Sequence, residues 1–291
     1  MRSSKPPARS SSETGTPGTG GRAPRRRGFL AALLLGSAAA AAPSFSLSPE
    51  RSVTLPPALR EDLPKDKLAA VPFPSGETLS YTIAWLQVEG GAMTLATQRE
   101  TTPDGVPVHR ITLLAESNDY VDKFYPVRDR YETWVDARDF QPLRFERAVK
   151  EGKYASQDLE EFDLTKRLAS FRDERTPLPE KFHDIISSFY FLRTQTFETG
   201  KAVNIDVFSR GRLYKVAARV LGKEKVETEA GTFDAWKIQP VMREKESEDD
   251  RNKGKLFLWF SDDARRLPVM ARTVLPIGSV TARLKSVKTG A

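Results

Sequence analysis

Thr78-Leu79-Ser80-Tyr81-Thr82-Ile83-Ala84-Trp85 reads as a strand before anything else is known of the chain. Leu79, Tyr81, Ile83 and Trp85 alternate with Thr78, Ser80, Thr82 and Ala84, the period of two that sends successive side chains to opposite faces of a sheet. The pattern continues outward. Further strand-like runs are centred on residues 108–115, 131–136, 143–150, 153–164 and 168–172, then on 202–208, 213–221, 233–242, 256–261, 267–275 and 280–287. Between them fall turn signals: Glu89-Gly90-Gly91, Pro103-Asp104-Gly105, Glu151-Gly152, Arg210-Gly211, Ala230-Gly231, Asp262-Asp263 and Pro276-Ile277-Gly278.

Strands joined by tight turns pair antiparallel, since parallel neighbours need crossovers of roughly a dozen residues. The absence of a repeated βαβ rhythm argues against a dinucleotide-binding fold. One segment differs. In His183-Asp184-Ile185-Ile186-Ser187-Ser188-Phe189-Tyr190-Phe191-Leu192-Arg193, the residues Ile185, Ile186, Phe189 and Leu192 recur at helical spacing, Asp184 suits an N-cap and Arg193 the C-terminal dipole end. Pro177 and Pro179 end the strand before it. The expected fold is mainly β: a single curved antiparallel sheet or open half-barrel of many hairpin-linked strands with one short helix.

The chain has 291 residues, with 46 Lys and Arg against 39 Asp and Glu, two His and no Cys. Lack of cysteine excludes thiol nucleophiles, disulfides, zinc–thiolate sites and a lipidated N-terminal cysteine. Two distant histidines make a poor metal site, and no phosphate loop or dinucleotide fingerprint is present, so no metal or cofactor is expected. The net charge of +7 is concentrated in residues 1–42, where Arg2, Lys5, Arg9, Arg22, Arg25, Arg26 and Arg27 face only Glu13. The remainder is nearly neutral, which removes the case for nucleic acid.

Residues 1–42 read as a signal peptide: a polar, basic region, a short apolar run over 28–42 and small residues fit for cleavage. The run falls short of the roughly 20 residues that span a bilayer. Arg26-Arg27-Gly28-Phe29-Leu30 carries the pattern of the twin-arginine export signal, with Arg26, Arg27, Phe29 and Leu30 as its recognition residues; a general secretory signal is the alternative. Residues 43–75 hold seven prolines and read as a linker, with a short helical turn around 60–68, ahead of a β-rich domain over 76–291. No later stretch is apolar enough to span a membrane.

Candidate chemistry is sparse. Asp262-Asp263 and Asp249-Asp250 suggest paired carboxylates, but adjacent strand residues diverge, and Asp262-Asp263 reads first as a turn. Residues 244–255 alternate in sign as a solvated loop does. His183 beside Asp184 reads as a capped helix start, and His109 as an exposed or rim residue of a strand. Tyr125-Pro126-Val127-Arg128-Asp129-Arg130 is a rigid corner feeding two arginines, able to hold an anionic head group through Tyr125, Arg128 and Arg130, with Trp85 as an apolar contact. The plainer reading pairs those arginines with Asp129 and Glu132. Tyr81, Trp85, Phe145, Phe162, Phe189, Trp236 and Trp259 read first as core and second as the lining of a ligand cavity.

From about Gly76 to Val287 the chain resembles the bacterial domain-of-unknown-function family 3108, exported proteins of the cell envelope. The matching pieces are Gly76-Glu77-Thr78-Leu79-Ser80-Tyr81 running into Trp85, Gly90-Gly91-Ala92, Tyr125-Pro126-Val127-Arg128-Asp129 and Asp184 through Arg193. Ala230-Gly231-Thr232-Phe233, Leu258-Trp259-Phe260-Ser261-Asp262-Asp263 and Arg266-Leu267-Pro268-Val269 complete them. The resemblance implies a mostly antiparallel β structure in the periplasm, with outer-membrane association or secretion as alternatives, and brings no catalytic residues. The expected function is a non-enzymatic module that binds or carries an apolar or amphiphilic envelope molecule such as a lipid. The alternative is an assembly factor acting through an envelope protein partner, and a third reading is a carboxylate-dependent hydrolase of envelope polymers.

Overall fold

The alternation in residues 78–85 puts Leu79, Tyr81 and Ile83 inside as β1 (Thr78–Trp85), the middle of the sheet in the computed structural model, which describes residues 68–103, 105–242, 254–276 and 278–290. The leader with Arg26, Arg27, Phe29 and Leu30, the helical turn near residue 60 and Asp249-Asp250 lie outside the described residues. The last residues of the expected linker do not stand apart: Ala69 N–H donates to Ala137 O at 2.7 Å and Phe73 is buried in the core.

Two meanders leave the centre in opposite directions. The first runs from β1 through β2 (Val88–Thr101), β3 (Pro107–Ser117), β4 (Val127–Asp136), β5 (Pro142–Glu151), β6 (Tyr154–Asp163) and β7 (Leu168–Phe171) to β8 (Glu174–Pro177). The second comprises β9 (Ala202–Ser209), β10 (Arg212–Thr228), β11 (Gly231–Met242), β12 (Lys255–Ser261), β13 (Pro268–Leu275) and β14 (Gly278–Lys288). β14 pairs with β1, giving one 14-stranded antiparallel sheet with β8 and β9 as its edges. The sheet is not closed into a barrel, as no ladder joins β8 to β9.

The edges nonetheless approach. Thr176 Oγ1 donates to Gly211 O at 3.1 Å across the seam. Beside it, residue 183 lies along β9: His183 N–H donates to Asp206 O at 2.9 Å and Phe208 N–H to His183 O at 2.8 Å. Covering an edge in this way blocks further strand pairing.

The segment between the meanders carries α2 (Ile185–Arg193), which plugs one end of the sheet. Its start follows the expected chemistry. Asp184 accepts from Ile186 N–H and Ser187 N–H at 2.8 and 2.9 Å, while Ser187 Oγ accepts from Asp184 N–H, a full capping box. The inward stripe includes Tyr190, fully buried, whereas Phe189 is half-buried. A second, four-residue helical turn, α1 (Asp119–Asp122), sits in the β3–β4 connection and is capped by Asn118.

Three local readings are corrected. Gly90 and Gly91 lie within β2 rather than in a turn, and the β1–β2 turn is Leu86-Gln87, both with positive φ (49° and 72°). Gly91 is there for close approach, since a Cβ would stand 2.2 Å from Glu116 O. A register shift between Ile83 and Ala84 turns the end of β1 over, so Ala84 is buried and Trp85 is 41% exposed. His109 is buried, because it shares the inward face of β3 with Ile111 and Leu113; it packs against Phe73 and Phe140 with ring centroids 5.6 and 6.4 Å away. Burial, aided by Arg99, lowers its pKa to about 4, so the ring is neutral.

Candidate functional site: a polar wall and an apolar rim

The inner face of β4, β5 and β6 departs from the rest of the core. Pairing sets Tyr131 opposite Arg147 and Arg147 opposite Asp158, with Asp129 and Glu160 one step to either side. All five are buried, though their faces also carry Val127, Val149 and Phe162. Buried polar atoms normally find partners. Here Tyr131 Oη, Arg147 Nε and Glu160 Oε2 find none within the protein.

The wall is charged unevenly. Asp158 pairs with Arg147, with Arg172 Nη2 at 3.3 Å and with Arg210 Nε at 3.6 Å. Burial alone would raise the Asp158 carboxyl, but Arg147, then Arg210 and Arg172, hold it below its ordinary value. Burial pushes the neighbouring Glu160 up to about 8, against the hydrogen bond its Oε1 accepts from Arg210 N–H at 2.6 Å. Asp129 is raised by burial and then by the facing Glu151 carboxylate, although Asp129 Oδ1 accepts from Lys150 N–H at 3.1 Å. Near neutral pH, Glu160 and Asp129 are therefore proton-bearing groups that donate as well as accept.

Arg172 and Arg210 reach Asp158 from two hairpin turns, β7–β8 and β9–β10, on opposite sides of the seam. Both have positive φ, 54° and 52°, a conformation in which glycine is the unstrained residue. Asp158 and Arg147 form the floor of this arrangement, while the Arg172 side chain is 63% exposed.

Strand direction places the β1–β2, β3–β4, β5–β6, β7–β8, β9–β10 and β13–β14 turns at one end of the sheet, opposite the α2 plug. This end is apolar at its rim. Trp85, Leu86 and Val88 are exposed around the β1–β2 turn, Tyr120 and Phe124 on the β3–β4 connection, and Val274 beside the β13–β14 turn. Phe124 is 76% exposed and its ring stands 5.8 Å from that of Tyr120. Large apolar side chains gathered at one end mark an interaction surface more than scattered ones do.

Of the residues singled out from sequence, Trp85 and Tyr125 belong to this end. Tyr125 covers Gly152, where a Cβ would come within 2.8 Å of its ring. Arg128 and Arg130 lie on the outer face of β4, since Val127, Asp129 and Tyr131 take the inner one. Arg128 forks onto Asp122 at 2.5 and 3.0 Å rather than onto Asp129, and Arg130 Nη2 meets Glu132 at 2.7 Å. The structure thus does not bring these arginines to the polar wall.

Asp262 and Asp263 sit in the β12–β13 turn, occupied by Lys223, Trp236 Nε1 and Arg266 on one side and by Ser261 and Arg265 on the other. The acids that do face each other, Asp129 and Glu151, are both buried, out of reach of a polymer in solution. Among the described residues no group of three His, Asp or Glu side chains is placed to hold a metal ion, and no helix is long and apolar enough to cross a membrane.

Over residues 78–285 the chain matches the family model described as Protein of unknown function (DUF3108). No curated protein matches it. Among solved structures it is similar to the beta-barrel-like protein of domain of unknown function DUF1849 from Brucella abortus, with a TM-score of 0.51 at 11% identity, covering 76% of this chain and 100% of that one. A protein from Bacteroides fragilis described as exported, with a YmcC-like fold, gives a TM-score of 0.35 at 11% identity over 76% of this chain and 100% of its own. One from Parabacteroides distasonis described as a lipoprotein gives 0.32 at 11% identity over 77% and 100%. The first likeness is one of fold.

Proposed function

The chain belongs to the family of proteins of unknown function DUF3108, and we propose that it is an exported, non-enzymatic module that binds or carries an apolar or amphiphilic molecule of the cell envelope. The observation that carries this reading is the juxtaposition at one end of the sheet. Trp85, Leu86, Tyr120 and Phe124 offer exposed apolar surface there, and the inner face behind the rim holds buried polar atoms, Tyr131 Oη, Arg147 Nε and Glu160 Oε2, without protein partners. An amphiphile has that same division, a tail that leaves water and a head that needs hydrogen bonds.

Native mass spectrometry of protein purified from its own envelope tests the reading directly, with uptake of a fluorescent lipid as the second readout. A bound amphiphile, released only on unfolding, is the expected result. A lipid-free protein that takes up no fluorescent lipid overturns it, as does in-cell crosslinking that returns one stoichiometric protein partner through Trp85 or Phe124.

Export belongs to the same proposal. Residues 1–42 supply the signal and the proline-rich stretch after them the tether, which ends before Ala69, where the chain joins the binding domain. Replacing Arg26 and Arg27 by lysine is expected to hold the protein in the cytoplasm, which fractionation of cells reads. A location in the periplasm that the double substitution leaves unchanged removes the twin-arginine route.

A further inference from the structure

Three guanidinium groups converge on one carboxylate at the seam. Arg147 rises from the inner face of β5, Arg172 from the β7–β8 turn and Arg210 from the β9–β10 turn, and all three are directed at Asp158. One anion does not balance three cations. A further acid, Glu160, is buried and accepts a backbone N–H from Arg210. Glu174 stands at the outer lip, its Oε2 3.3 Å from the place of a Gly211 Cβ, and Asp129 on the same inner face also acts on Arg147.

Capacity for hydrogen bonding is left over in the three guanidinium groups. Arg147 Nε is buried and has no partner, and Arg210 Nε stands 3.6 Å from Asp158, beyond a good hydrogen bond. Arg172 is held with its guanidinium carbon 5.1 Å from the Phe171 ring centre, which orients its plane, while its side chain stays open to solvent. Both turn arginines occupy positive-φ positions that glycine would take without strain. The same conformation recurs at Leu86, Gln87, Phe140, Arg167 and Arg266, so it belongs to the tight turns of the sheet; what sets these two turns apart is that each delivers a guanidinium group to the same carboxylate.

The geometry points to an oxyanion site of the phosphate type, formed by Arg147, Arg172 and Arg210, in which Asp158 holds the guanidinium groups in place and the ligand's oxygens take the donors it leaves unused. Arginine's planar fork suits phosphate oxygens, and the largely exposed Arg172 side chain is reachable from solvent. This deepens the amphiphile reading, on which its lipid arm rests, by naming the head group as a phosphate ester.

The test uses two fluorescent lipids with identical acyl chains, phosphatidic acid and diacylglycerol, and inorganic phosphate alone by calorimetry. The protein is expected to bind phosphatidic acid about tenfold or more tightly than diacylglycerol. R172Q/R210Q is expected to remove that preference and to leave diacylglycerol binding unchanged. Equal binding of both lipids, or a preference that survives in R172Q/R210Q, overturns the site while sparing the amphiphile reading. If neither lipid binds, the amphiphile reading falls, and inorganic phosphate decides the site by itself: binding that weakens about tenfold in R172Q/R210Q upholds it, and no binding ends it. Should the double substitution fail to fold, R172Q alone, at an exposed side chain, gives the same comparison.

Discussion

Arg193, the last residue of α2, closes on Glu77, just ahead of β1, through two hydrogen bonds of 2.5 and 2.9 Å, and both side chains are buried. The two are 116 residues apart in sequence. Arg193 also donates to Arg265 O at 3.0 Å and lies over the rings of Phe73 and Tyr190. The plug helix is thereby tied to the central strand, the β12–β13 turn and the entering chain at once. The polar wall lies toward the other end, where Asp158 makes a second tie, through Arg147 of β5 and through Arg172 and Arg210 from the two turns facing the seam.

Removing one partner of this pair strands a buried charge. Glu77→Ala is expected to lower the unfolding free energy by about 3–5 kcal/mol, and Arg193→Met by a similar amount. The double substitution is expected to cost less than the sum, because no charge is left uncompensated. Urea unfolding of the four proteins measures this; additive losses would show that the two groups do not act as a pair.

Asp184 serves two elements with one carboxylate. Oδ1 caps α2, and Oδ2 accepts from Thr133 Oγ1 of β4 at 2.5 Å. Asp184→Ala removes both and is expected to cost about 2 kcal/mol, about half of it the cap. Asp184→Asn keeps an oxygen for the cap and is expected to cost clearly less. Equal losses in chemical denaturation would assign the stability to the Thr133 contact or to packing instead.

Stability should pass through a maximum in pH, for reasons of opposite sign. Glu160, pushed up to about 8, and Asp129, also raised, keep their protons in the folded protein at pH values where the unfolded chain has lost them. Their contribution is complete below the ordinary carboxyl range and is lost as pH climbs toward about 8. His109 and His183, lowered by burial to about 4 and about 3, stay neutral where the unfolded chain is protonated. Their contribution is complete above the ordinary histidine value of about 6.5 and is lost as pH falls. Melting temperatures from pH 4 to 9 are expected to fall on both sides, with Glu160→Gln flattening the alkaline limb and His109→Leu the acid one. An alkaline limb of unchanged slope in Glu160→Gln would sink the assignment.

The sheet was legible because a period of two survives in nearly every strand, and α2 because its cap and stripe are local. What was hidden depends on pairing across the sheet. Gly90-Gly91 has turn composition, and only the closeness of Glu116 O makes it part of a strand. On β6, Leu159 is exposed while Asp158 and Glu160 point inward, the reverse of what polarity alone suggests. A signal was present: Ser156, Asp158 and Glu160 fall in step with Phe162, as Arg147 does with Phe145 and Val149. The meeting of Arg172 with Arg210 follows only from the curl that brings two distant turns to one seam, and no local pattern encodes it. Arg128 and Arg130 stand close together in sequence beside a rigid corner, but nearby acids, Asp122 and Glu132, take up both.

Trp85 offers a direct optical check of the apolar rim. It is 41% exposed at the β1–β2 turn, whereas Trp134, Trp236 and Trp259 are buried. Trp236 Nε1 and Trp259 Nε1 each donate to a carboxylate at 2.6 Å, which fixes their surroundings whatever happens at the rim. Adding an amphiphile that covers the rim should move Trp85 into an apolar medium, so emission is expected to shift to shorter wavelength and quenching by iodide to fall. Trp85→Phe should abolish both responses, since the other three rings do not change solvent. Phe124→Ser, at an exposed position, should weaken amphiphile binding several-fold with the melting temperature held within about 2 °C, because surface substitutions of this kind leave stability nearly unaltered. A response that persists in Trp85→Phe would move the contact away from this end of the sheet and toward one of the buried indoles.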